Sequence, residues 1–202
     1  MRIRKRWLLR LGLVLSLATV VGLFIAWTSA AAGGGAQHVR WDIISLTGGA
    51  PPGPINPGGE ASASAPDGDT ITLTGSGHFV APASGGGSGA VDGGGTWSTT
   101  ADGGASGTYT VTGLVSWESA GPQACCPLID NIDEGTRTNG NAVLTIAFSD
   151  GTQGVLTIGC HGPGAPPGIF EGIATTKKYK TYYTVQPPTS GVDSNRTVFH
   201  VR

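Results

Sequence analysis

Residues 141–161, NAVLTIAFSDGTQGVLTIGCH, constrain this chain more than any other stretch, because turn chemistry and strand periodicity agree there on one register. A three-residue loop, Ser149-Asp150-Gly151, puts glycine in the left-handed position that disfavours a Cβ and closes a type I turn with a bulge. Phe148 then faces Thr152, Ile146 faces Gly154 and Leu144 faces Leu156. A two-residue Asp150-Gly151 loop would pair Leu144 and Ile146 with Thr157 and Val155 and turn Leu156 and Ile158 to the opposite face, so the apolar pattern selects the longer loop. Side chains alternate along a strand. Leu156, Ile158 and Cys160 therefore share the face of Leu144, Ile146 and Phe148, with Cys160 expected buried and His161 exposed.

Residues 60–75 repeat this grammar around Pro66-Asp67-Gly68. Ala61 faces Leu73 and Ala63 faces Ile71, while Ser62, Ser64, Thr70 and Thr72 fall on the other side. One face is apolar and one hydroxylated, as a half-buried antiparallel sheet requires. Residues 39–46 alternate Val39, Trp41 and Ile43 against Arg40 and Asp42. Residues 78–81, 97–100 and 108–117 add strand material, the last with Tyr109, Val111, Val115 and Trp117 on one face and Gly113 as a bulge. Residues 169–185 and 197–201 complete the series. Glycine supplies 35 of 202 residues, which favours turns and short strands over helices. The low-complexity stretch 84–95 reads as a flexible surface loop. The expected fold is an all-β antiparallel sandwich or partly closed barrel of about 8–9 strands.

The N-terminus carries five basic residues before an apolar run over residues 11–27, followed by small residues suited to cleavage. Residues 1–31 are expected to be a signal peptide, 32–37 a flexible spacer and 38–202 a single β domain, secreted or in the cell envelope. An uncleaved anchor is the rival reading; with the leader removed no membrane span is expected. Of 12 basic residues five lie in the leader, leaving 7 against 13 acidic ones and a net charge near −6. An acidic domain of this kind is poorly suited to nucleic acid, where lysine and arginine must replace phosphate counterions.

Three cysteines in an oxidising compartment suggest one disulfide and one free thiol. The expected bridge joins Cys160 to Cys125 or Cys126, with a disulfide between the neighbours Cys125 and Cys126, or a reactive free thiol, as alternatives. A metal site from Cys125, Cys126, Cys160 and His161 is the alternative, disfavoured because adjacent pairs lack the two-residue gap that lets ligands converge. Asp130, Asp133 and Glu134 offer a calcium alternative whose spacing does not follow the alternating loop pattern. No cofactor motif is read. Gly86-Gly87-Ser88-Gly89-Ala90 departs from the nucleophile elbow at its last position, so no catalytic residue is assigned. Trp41, Trp97, Trp117 and Tyr109 are expected in the core, with an exposed sugar-stacking platform as the alternative. Lys177, Lys178 and Lys180 read as protection of a sheet edge, or as a grip on an anionic polymer.

VRWDI, ITLTGSGHF, GGGTW, YTVTGLV, LTIAFSDGTQGVLTIGCH, FEGI and GVDSNRTVFHV together resemble a family of exported bacterial β-proteins that have no assigned activity. The resemblance implies a bacterial, exported protein and carries over no ligand or catalytic residue. The expected function is a non-catalytic domain that binds an extracellular or envelope partner, or plays a structural role, through loops at the sheet ends. The alternatives are a small extracellular hydrolase acting on a polymer and a barrel that holds a small ligand.

Overall fold

The computed structural model describes residues 35–46, 53–82, 86–101, 104–124, 129–188 and 195–202. The expected leader, Cys125 and Cys126 lie outside them. Thirteen strands are formed: β1 (Gln37–Leu46), β2 (Ile55–Pro57), β3 (Ala61–Ser64), β4 (Thr70–Leu73), β5 (Ser76–Ala81), β6 (Gly94–Thr99), β7 (Ser106–Pro122), β8 (Thr136–Phe148), β9 (Gln153–Cys160), β10 (Gly172–Lys177), β11 (Lys180–Tyr182), β12 (Thr184–Val185) and β13 (Arg196–Val201). The described residues contain no helix, and therefore none long and apolar enough to cross a membrane.

All strand ladders are antiparallel, and β1, β5, β6, β7, β8 and β13 close into a six-stranded barrel. Two wings extend the wall. β9, β10 and β11 continue outward from β8, and β4, β3 and β12 continue from β6. The wings meet where β10 lies against β3 and β12. The all-β expectation holds, with the barrel closed rather than partial; the larger strand number comes from short pieces such as β2, β11 and β12.

The organising hairpin is β8–β9 in the expected register, with Leu144 opposite Leu156 and Ile146 opposite Gly154. Phe148 N donates to Thr152 O at 2.8 Å and Gly151 has φ 83°, as the three-residue loop demands. Leu144, Ile146, Leu156 and Ile158 are all buried. Each contributes on the order of 1.5–3 kcal/mol through removal of its side chain from water. The β3–β4 hairpin also takes the expected register, with Ala61 opposite Leu73 and Ala63 opposite Ile71. One continuous core joins Trp41, Phe79, Tyr109, Trp117 and Phe199 from the barrel to Ile71, Leu156, Ile173 and Tyr182 from the wings. The barrel interior is thus packed with large side chains.

β7 departs from the simple alternation. Its pairing with β8 shifts between Val111 and Gly113 and again between Leu114 and Ser116. The first bulge is at the expected glycine. It inverts the alternation, so Leu114 is buried and Val115 is 46% exposed, the reverse of the side expected for Val115, and the second returns Trp117 to the core. Residues 86–95 of the stretch read as a flexible loop are likewise held: Ser88 and Leu114 exchange backbone hydrogen bonds at 2.9 and 2.8 Å, and Val80 N donates to Ala90 O at 3.0 Å. Glycines there let backbone meet backbone, which composition alone does not reveal. Residue 37, assigned to the spacer, already pairs with Ala81 in β1.

Candidate binding face

Cys160 lies at the end of β9, buried as expected, while His161 turns outward. The expected disulfide is not formed through it: Cys160 is a free thiol, with Gln123 Nε2 at 3.5 Å from its sulfur. Burial, reinforced by the nearby Glu171 charge, pushes the thiol pKa far up. His161 does not turn to the thiol; its Nδ1 lies 2.8 Å from Ile169 O. Strand alternation keeps the two side chains on opposite faces.

Glu171 is the one acid among the described residues raised toward neutrality, with burial lifting it to about 7. Its oxygens accept from His161 N at 2.5 Å and Thr197 N at 2.8 Å, tying the loop after β9 to β13. Because its folded value lies above the usual carboxylate range, Glu171 stabilises the fold below about pH 4.5 and loses that contribution as pH rises through 7. Denaturant midpoints are expected to fall between pH 5 and 7.5. The loss is about 1–2 kcal/mol, after allowance for partial solvent screening. Glu171→Gln should flatten that slope; an unchanged slope would place the titrating group elsewhere.

Two of the three acidic residues considered for calcium, Asp130 and Glu134, bond different basic side chains. Cross-strand register aligns Arg137, His200, Arg40 and His78 in one line over β8, β13, β1 and β5 on the outside of the barrel. Residues 129–135 lie over this line. Asp130 Oδ2 is 2.8 Å from His200 Nε2, and its Oδ1 accepts from Ile132 N at 3.0 Å. Glu134 bonds Arg40 Nη1 at 2.5 Å and Arg202 Nη2 at 2.9 Å. The Arg40 hydrogen bond draws the Glu134 carboxyl below its ordinary pKa. Asp133 is exposed, with φ 44° at the bend of the segment. Ile132 anchors the segment in a second small cluster with Ile44, Ile55 and Val198. Among the described residues no His, Cys, Asp and Glu side chains converge in the number a metal site needs.

An open depression of about 410 Å³ adjoins this line, with His38, Arg40, His78, Asp92 and Arg202 in its wall. Of its two histidines, His78 faces carboxylates on both ring nitrogens: Nδ1 lies 3.0 Å from Asp92 and Nε2 3.5 Å from Glu134. A serine-type triad needs a hydroxyl on the second nitrogen. Here that place is taken by an acid.

The aromatic side chains considered for sugar stacking are all core: Trp41, Trp97, Trp117 and Tyr109 are at most 4% exposed. The lysine run is also largely consumed. Lys177 is buried, its ammonium on Asp150 and 4.2 Å from the Trp97 ring centroid. Lys180 bonds Asp67 and Asp69, each at 3.0 Å. Lys178 is exposed, with φ 55° in the turn before the edge strand β11.

Compared with family models, curated proteins and solved structures, the chain matches none. Its site has to be read from its own surface.

The outer face of β12, β3, β4, β6 and β7 is a lattice of hydroxyls. Thr184 pairs with Ser64 and Ser64 with Thr70. Ser62 pairs with Thr72, Thr72 with Ser98 and Ser98 with Ser106. In a third row Thr74 bonds Thr96, which pairs with Thr108. The inward partners on these strands are Ala61, Ala63, Ile71, Leu73, Trp97 and Tyr109, all buried. Every residue named in these outward rows is serine or threonine and none is buried; Gln186, just past β12, joins them by bonding Ser64 Oγ at 2.9 Å. Ser62 and Thr72 hydroxyls lie 2.8 Å apart, Ser64 and Thr70 2.9 Å, and Thr74 and Thr96 2.8 Å. These pairs hold the side chains in a fixed array. Threonine's strand propensity explains single exposed threonines, but an ordinary exposed sheet mixes them with charged residues for solubility. Three uncharged rows in register call for a further reason.

Proposed function

We propose that this protein is an exported bacterial recognition domain, without catalysis of its own, that binds an envelope or extracellular partner through the hydroxyl face of β12, β3, β4, β6 and β7. The observation that carries the reading is the register, which lines serines and threonines in rows across separate strands with no charge among them. Hydroxyl groups fixed by one another lose little side-chain entropy on binding, the condition for many weak hydrogen bonds to add. The leader supports export, and the resemblance to exported bacterial β-proteins agrees with it. Glu171 spends both oxygens on backbone N–H groups and His78 both ring nitrogens on carboxylates, which weighs against the hydrolase alternative.

The full chain is expected to sediment with insoluble envelope and extracellular material from its own cells. A Thr72→Lys/Ser98→Lys variant should remain in the supernatant while still unfolding cooperatively, at a melting temperature a few degrees lower because the two lysines stand directly opposite. Equal sedimentation of both proteins would remove the face from the function.

A further inference from the structure

We infer that the ligand of the hydroxyl face is a neutral polysaccharide, with Tyr183 and Tyr179 as stacking platforms at one end; this rests on the reading of that face as the recognition surface. A hydroxyl carries one donor and two acceptor sites. When two hydroxyls bond each other, the pair keeps one free donor and three free acceptor sites, as in Ser62–Thr72; Ser64–Thr70 and Thr74–Thr96 keep one donor and two acceptor sites, because Ser64 Oγ also accepts from Gln186 Nε2 at 2.9 Å and Thr74 Oγ1 from Thr96 N at 3.1 Å. The face is therefore rich in acceptors and calls for a ligand rich in O–H donors. A carbohydrate presents such groups along its whole length. A phosphate, sulfate or uronate polymer presents acceptors and charge, and the rows hold no cation to meet them.

The array is also periodic, with neighbouring strands about 4.8 Å apart and same-face residues about 6.8 Å apart along each strand. Such a surface suits a repeating polymer better than a single small molecule, because many equal contacts can form in parallel. The tyrosines supply what hydroxyls lack. Tyr179 is 91% and Tyr183 63% exposed, while Tyr109 and Tyr182 are buried. Tyr183 directly precedes Thr184, which pairs with Ser64. Tyr179 directly precedes Lys180, whose ammonium binds Asp67 and Asp69 in the turn between Ser64 and Thr70. Both residues thus stand at the sheet edge where this row ends, with their rings open to solvent. An aromatic ring with a polar tip can cover the C–H face of a sugar and still hydrogen-bond at its edge.

Affinity electrophoresis of the full chain in gels containing hydroxyethylcellulose, laminarin, mannan or polygalacturonate tests this. Expected is retardation by at least one neutral glycan, unchanged when salt is raised. Tyr183→Ala should weaken it about tenfold. The Thr72→Lys/Ser98→Lys variant should lose it while still unfolding cooperatively. No retardation by any neutral glycan would overturn the ligand. If sedimentation with envelope material still depended on Thr72 and Ser98, the face would stand and only the ligand class would fall. Salt-sensitive retardation by polygalacturonate alone would assign an anionic ligand, against the proposal. Retardation by a neutral glycan that ignores the face variant would move the site off these rows and overturn both readings.

Discussion

Asp69→Ala is expected to lower the melting temperature by about 10 °C, the effect of losing about 3–4 kcal/mol in a domain of this size. The side chain of Asp69 is 4% exposed. Its Oδ1 accepts from Thr100 N at 3.1 Å, Thr100 Oγ1 at 3.0 Å and Ala101 N at 2.7 Å; its Oδ2 accepts from Lys180 Nζ at 3.0 Å and Tyr182 Oη at 2.7 Å. One carboxylate thus ties the β3–β4 turn to the chain after β6 and to β11. Alanine strands the buried Tyr182 hydroxyl and removes one of the two acids on Lys180, and unpaired buried polar groups cost more than the bonds themselves are worth. Burial opposes ionisation of Asp69, yet hydrogen bonds from Tyr182, Lys180, Ala101 and Thr100 win and hold its carboxyl far below the usual range. A lowered folded pKa gives stability that is present above about pH 4 and lost as pH falls through the folded value. Acid unfolding should accordingly move less with pH in Asp69→Ala than in the parent. A thermal scan at neutral pH checks the main effect, and a shift under about 3 °C would show that the neighbouring loops rearrange to satisfy the donors.

Gly94→Ala is expected to cost about 3 kcal/mol or more and to act on barrel closure. β5 and β6 are joined by a single residue pair, Ser76 with Gly94, whereas the other seams of the barrel run over several residues. Gly94 has φ 151°, and a Cβ there would lie 2.1 Å from the carbonyl oxygen of Tyr109. Alanine must therefore both leave its favoured backbone region and push β7 away. The readout is amide exchange. Protection should fall first in β5 and β6, while the β8–β9 hairpin, paired along eight residue positions, keeps its own. Uniform loss across the chain would mean that the seam and the hairpin open as one unit.

The two hairpins were legible from sequence because their information is local. Gly151 and Gly68 fix the loops, and a period of two then decides which side chains go inward. The same local reading exposed the hydroxylated side of Ser62, Ser64, Thr70 and Thr72. It failed for Val115, since the extra residue at the Gly113 bulge inverts the alternation beyond it, and a second bulge, with no glycine to announce it, is what returns Trp117 to the core. It failed for Cys160, where compartment and cysteine number pointed to a bridge but the thiol packs against Gln123 and the core.

The candidate site divides along the same line. Sequence by itself determined the antiparallel hairpins, the inward residues of β3, β4, β8 and β9, and a hydroxylated edge four residues in extent. Tertiary structure alone decided that β6 and β7 add Thr96, Ser98, Ser106 and Thr108 to that edge, that β12 adds Thr184, and that Asp130 and Glu134 reach His200 and Arg40. The physical reason is separation along the chain. Alternation and turn residues act over a few positions, whereas pairing Thr72 with Ser98, or Glu134 with Arg40, depends on the whole barrel closing in one register.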